Sequence, residues 1–173
     1  MKSIVGRLCA AAVVLSSLNG CAPLMLGTAV GGAFVVTDRR TSGAQLEDQG
    51  IEIKASNRIR EAVGERGHIN VTSYNRVILL TGEVVSEADR LTIEQVAART
   101  ENVRSVVNEL AVMGSSSLTS RSSDLLVQAK IKATLVDARD LQPNAFKGVV
   151  ERGEACLMGM VTEREANRAA DPV

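Results

Sequence analysis

Apolar residues recur every fourth position at Ile51, Ala55, Ile59 and Val63, with Lys54, Arg58, Arg60 and Glu61 between them. That spacing predicts an amphipathic helix opening near Glu47 and closing at Gly64 and Gly67. The period then changes to two. Ile69, Val71 and Ser73 alternate with Asn70, Thr72 and Tyr74, as in a half-buried strand. Asn75-Arg76 supplies a turn, and Val77 to Thr81 is apolar enough for a second, central strand. Gly82 marks tight backbone geometry, read here as a turn. Ser86 with Asp89 resembles a capping box, so a helix should run to about Thr100. Val106, Asn108, Leu110 and Val112 alternate as a third strand. The order is α-β-β-α-β.

The same order begins again after a serine-rich stretch, 114–123, read as a flexible linker. A helix is expected from Asp124 with Val127, Ile131 and Leu135 on its inner stripe. Strands are expected at Phe146 to Val150 and Ala155 to Val161, and a helix near Glu163. Leu79-Leu80-Thr81-Gly82-Glu83-Val84 is rewritten as Cys156-Leu157-Met158-Gly159-Met160-Val161, and Arg58-Ile59-Arg60 is echoed by Lys130-Ile131-Lys132. Two related units follow. Gly82 is followed by 30 residues to Val112, whereas Gly159 is followed by 14 to Val173. The second unit therefore reads as a copy truncated at its C-terminus, lacking about half a helix and the last strand.

Composition adds an address. Lys2 and Arg7 precede an apolar run, Leu8 to Leu18, too short to span a bilayer, which needs roughly 20 residues. Leu18-Asn19-Gly20-Cys21 resembles the lipobox of bacterial lipoproteins. The expected organisation is a signal peptide over 1–20 and an acylated Cys21 opening a membrane-proximal leader and polar tether over 21–46. The repeats follow at 47–113 and 124–173. An ordinary secretion signal with a chance cysteine is the competing reading. At about 0.8 kcal/mol per buried methylene, several acyl chains hold a protein on a membrane for its lifetime. Ala22, not Asp, follows, which the resemblance to bacterial lipoproteins implies is an outer-membrane address. Cys9 leaves with the signal and Cys21 is acylated, so Cys156 stays single. Formal charge is zero overall. Without the first twenty residues 18 basic groups face 20 acidic ones, a balance that does not suit nucleic acid.

Enzymatic chemistry finds little to stand on. His68 is the single histidine and has no cysteine near it in sequence. Cys156 falls in a predicted strand, where a thiol serves as a small apolar side chain. Zinc spacing, phosphate loop and nucleophile elbow are all missing from the sequence. Glu163, Arg164 and Glu165 read as a solvated first helical turn. No enzyme, cofactor or metal is expected.

The linked motifs carry a family. The α-β-β-α-β unit, Leu79-x-Thr81-Gly82-Glu83-Val84 and the later Val103-x-x-Val106-Val107-Asn108-x-Leu110-x-Val112 resemble the BON domain. With the lipobox, the arrangement is similar to dual-BON outer-membrane lipoproteins. The resemblance implies an α+β fold with helices on one face of a small mixed sheet in each unit. It also implies a non-enzymatic, periplasm-facing protein supporting envelope integrity. Anionic phospholipid would be met through the first helix of the second unit, at Leu126, Val127, Lys130 and Lys132. Val127 also lies on the core stripe, so two roles compete there. The family implies an aromatic at about Leu126, and this chain has no Trp. The alternative role is a scaffold for outer-membrane assembly or division proteins.

Overall fold

The computed structural model describes residues 38–114 and 116–171. The expectations for the signal peptide, Cys21 and the leader through Val36 lie outside the described residues. The first unit contains α1 (Ser42–Val63), β1 (His68–Tyr74), β2 (Val77–Val84), α2 (Glu87–Ala98) and β3 (Ser105–Val112). The second contains α3 (Leu118–Asp137), a 3-10 turn (Pro143–Ala145), β4 (Phe146–Glu151), β5 (Glu154–Gly159) and α4 (Glu163–Ala170).

α1 starts five residues before the expected Glu47, because Thr41 accepts the Ala44 amide and caps it there. The end of the supposed tether is therefore helical. Ile51, Ala55, Ile59 and Val63 are buried along one side of α1. They meet Ile78, Leu80, Val84, Ile93, Ala97 and Leu110 in the first core. Burying each such side chain favours the fold by about 1.5–3 kcal/mol for the larger ones. β1 and β2 are antiparallel with Tyr74 opposite Val77, whereas β2 and β3 run parallel with Ile78 opposite Val106. β2 is thus the centre of a mixed three-stranded sheet.

Asn75 and Arg76 both have positive φ, 50° and 67°, as a two-residue hairpin of the type I′ kind requires. Gly82 is not in a turn. It lies inside β2 at φ +114°, where a Cβ would stand 1.9 Å from the His68 carbonyl oxygen. Only glycine fits that approach. Gly159 likewise ends β5 and does not make a turn.

The serine-rich stretch is mostly helix, a second departure from expectation. Ser117 accepts the Ser120 amide and caps α3 six residues before Asp124. Ser122 and Ser123 stay inside the helix by donating back to the Leu118 and Thr119 carbonyls. β4 and β5 pair antiparallel around Arg152-Gly153, again with positive φ at both residues. Thr162 and Glu165 make a reciprocal capping box at α4. Among the described residues the second sheet has two strands and no counterpart of β3. Its core is smaller: Ile131, Leu135, Leu141, Val150 and Ala169.

Asn70 and Tyr74 alternate along β1 with the core residues Ile69 and Val71, and both reach the second unit. Asn70 donates to Glu151 at 2.8 Å, and the Tyr74 hydroxyl donates to the Ala145 carbonyl at 3.0 Å. Lys147 pairs with Glu52 of α1 at 2.6 Å, and Arg152 donates to the Gly82 carbonyl. Polar contacts of this kind hold the second unit against the first.

Candidate membrane-facing site

α3 is apolar on two sides. Ile131 and Leu135 are buried, and Val127 packs partly buried against the same core. Of the two roles expected of Val127, the place in the core is the one this packing displays. The opposite side carries Leu118, Leu125, Leu126 and Val136, which are 79%, 65%, 68% and 60% exposed. Leu118, Leu125, Ala129 and Val136 are spaced by seven, four and seven residues, which places them on one stripe, with Leu126 beside it. Leu118, Leu125 and Val136 did not figure among the expected lipid contacts. The signal for Leu125 and Val136 was present as exposed positions off the inner stripe, while Leu118 was hidden by the expected linker.

Lys130 stands one turn beyond Leu126 and Lys132 two turns beyond Leu125, both exposed. From Leu118 to Val136 the single acidic residue is Asp124, and it is buried. Its carboxylate accepts the Arg152 amide at 3.0 Å and the Gly153 amide at 2.8 Å. The outer face of α3 is thus an apolar stripe with two lysines and no carboxylate between its ends. Long lysine stems lie along apolar surface and lift the ammonium to a polar layer, a combination suited to the boundary between acyl chains and phosphates.

Other chemistry-bearing residues are occupied structurally. The Cys156 thiol is half-buried, and burial, then Glu109 and Glu154, push it above its usual range. A raised thiol pKa disfavours the nucleophilic thiolate. His68 Nε2 stands 4.0 Å from Glu151 and 3.2 Å from the Asn70 amide nitrogen. Among the described residues no three His, Cys, Asp or Glu side chains cluster to hold a metal, and no helix is long and apolar enough to cross a membrane. An apolar groove of about 400 Å³ runs between β5 and α4, lined by Phe146, Ala155, Leu157, Ala166 and Ala169.

Glu165 departs from the solvated first turn expected of it. It caps α4 and also receives Arg39 on both carboxylate oxygens, at 2.6 and 2.9 Å. Arg39, then Thr162, hold its carboxyl down at about 2.

Two helix-on-sheet units, written in the same order along the chain, define a tandem α+β repeat protein. The chain belongs to the BON domain family, whose profile matches residues 47–114 and 123–172. It is similar to the outer membrane lipoprotein DolP of Haemophilus influenzae, with 34% identity over 157 residues, 89% of this chain and 81% of the relative. A 21 kDa hemolysin of Actinobacillus pleuropneumoniae is 28% identical over 136 residues, 78% of this chain and 70% of that one.

Proposed function

We propose that this protein is a non-enzymatic lipoprotein of the outer membrane, anchored through Cys21 and facing the periplasm. In this reading it supports envelope integrity by engaging anionic phospholipid through α3. The observation that carries the reading is the outer face of α3: exposed Leu118, Leu125, Leu126 and Val136 beside Lys130 and Lys132, with Asp124 turned inward and the exposed Asp137 only at the helix end. Leucine insertion supplies apolar burial, and each lysine adds about 1 kcal/mol near an anionic surface. Similarity to an outer membrane lipoprotein supports the location. A second reading, a scaffold for assembly or division proteins, is favoured by the exposed Val107, Val112 and Met113 at β3, an outer strand of the first sheet.

The test is vesicle flotation of the full chain produced without its acyl groups. Binding to vesicles containing anionic lipid but not to neutral ones is expected, and Leu126→Asp should abolish it. Failure to float with anionic vesicles would overturn the lipid reading. Capture of an envelope protein that persists in high salt and is lost in Val107→Asp would favour the scaffold.

A further inference from the structure

We infer that Asp38-Arg39-Arg40, the segment joining the membrane-proximal leader to the repeats, is a clasp that fixes the second unit against the first. The two consecutive arginines diverge, one to each unit. Arg40 is held in the first: its guanidinium bonds Asp48 at 2.7 Å and Asp38 at 2.8 Å and lies 3.9 Å above the Tyr74 ring. Arg39 is held in the second, by both oxygens of Glu165 and by the Met160 carbonyl at 3.1 Å.

Tyr74 closes the other side of the same joint. Its hydroxyl donates to the Ala145 carbonyl and accepts the Met160 amide at 3.3 Å. Met160 is the residue that follows β5, shortly before α4 begins. Its carbonyl is thus taken by Arg39 and its amide by Tyr74, a residue of the first unit. A planar guanidinium on a carboxylate fixes direction as well as distance, which a lysine at the same place would not do. Glu165 is itself fixed by Thr162, whose amide and hydroxyl donate to it at 2.8 and 2.9 Å. The clasp therefore grips a preorganised group at the start of α4.

This gives the entry segment a role beyond spacing. A chain arriving from Cys21 is bound to both units within three residues, so the second unit moves with the first rather than swinging on the connection between β3 and α3. The role is that of a positioning element, and it does not depend on whether α3 binds lipid.

Amide hydrogen exchange on the full chain tests it, with Arg39→Ala, Arg39→Lys and Tyr74→Phe compared with the native protein. Arg39→Ala should speed exchange of the Met160 and Glu165–Ala170 amides at least tenfold while the β2 amides keep their native rate. Arg39→Lys should fall between the two. Tyr74→Phe should accelerate Met160. Native rates at Met160 and α4 in Arg39→Ala would overturn the clasp. So would an equal acceleration across β1, β2 and β3, which would mark a general loss of stability.

Discussion

Asp124 stands in the second unit where Asp48 stands in the first, each a buried helix carboxylate that holds the turn of the neighbouring hairpin. Asp48 accepts the amides of Asn75 and Arg76 at 2.7 and 2.8 Å, and Asp124 those of Arg152 and Gly153 at 3.0 and 2.8 Å. Tight type I′ turns leave amides pointing away from the ladder, and a helix aspartate satisfies two of them at once. Asp48 does more, accepting also from the Ser73 hydroxyl and Arg40. Asp48→Ala should therefore cost about 3–5 kcal/mol, the range for removing one partner of a buried ion pair. Asp124→Ala should cost about 1–3 kcal/mol, for amides left without acceptors. Urea denaturation of the two variants checks the order; equal losses would contradict it.

Gly82 and Gly153 both have positive φ and should respond differently to alanine. At Gly82 a Cβ would meet the His68 carbonyl at 1.9 Å, and the backbone of two paired strands cannot give way. Gly82→Ala should cost about 3 kcal/mol or more, strain and overpacking together. At Gly153 a Cβ meets nothing within 4 Å, so only the left-handed backbone opposes it. Gly153→Ala should cost about 1 kcal/mol. Thermal unfolding of the pair separates close approach from φ.

Much of this fold was legible because period and chemistry agreed. Ile51, Ala55, Ile59 and Val63 mark α1, and the break to alternation at Ile69 marks β1. The starts of α1 and α3 were not legible, whereas those of α2 at Ser86 and α4 near Glu163 were. Ser42 to Leu46 and Leu118 to Ser123 precede the inner apolar stripes, and their helicity rests on caps at Thr41 and Ser117. The echo of Arg58-Ile59-Arg60 in Lys130-Ile131-Lys132 was one turn out of step. Counted from the two turn-holding aspartates, Ile131 matches Ala55 and Leu135 matches Ile59. Asp48 itself looked like any helix carboxylate, since its partners at Ser73, Asn75 and Arg76 come near only after folding. On α3, Leu126, Lys130 and Lys132 were placed by resemblance and are exposed, while Val127 packs against the second core.

Glu83 is a weak point in the first unit. It is 0% exposed, and neither carboxylate oxygen has a hydrogen-bond partner among the described residues. An unpaired buried polar group costs about 1–3 kcal/mol, and an apolar side chain of similar volume avoids that cost. Glu83→Met should raise the unfolding free energy by about 1 kcal/mol or more. A fall in the midpoint of thermal unfolding would show that this carboxylate has a partner in solution.

Acid should loosen the protein from two places. Burial alone would raise the Asp48 carboxyl. The Arg76 amide, Ser73 hydroxyl, Asn75 amide and Arg40 outweigh it and hold the group below its ordinary 3.8. Glu165 sits at about 2, below its ordinary 4.5. For groups depressed in the folded state, the added stability is present above the unfolded value and is lost as pH falls through the folded one. Stability from these carboxylates should thus be level from pH 7 to about 5 and decline below about 4.5. Arg39→Ala should flatten the part of that decline due to Glu165, measured as the pH dependence of the urea midpoint. An unchanged acid limb would separate Glu165 from Arg39.

Lys130 and Lys132 should control the salt dependence of membrane binding, and the leucines its strength. Each lysine near an anionic surface contributes about 1 kcal/mol, roughly a fivefold change in affinity. Lys130→Ala should weaken binding to anionic vesicles about fivefold, and the Lys130→Ala, Lys132→Ala pair about thirtyfold. Because screening acts on charges and leaves apolar insertion alone, raised salt should weaken the native chain more than the double variant. Val127→Ala should behave otherwise. Its side chain packs with the second core, so it should lower stability by about 0.5–2 kcal/mol and leave vesicle affinity unchanged wherever the protein is folded. Sedimentation with vesicles at two salt concentrations, beside thermal unfolding, reads both effects. A Val127→Ala protein that unfolds normally but loses vesicle binding would place the contact on the inner stripe and remove Leu118, Leu125, Leu126 and Val136 from the site.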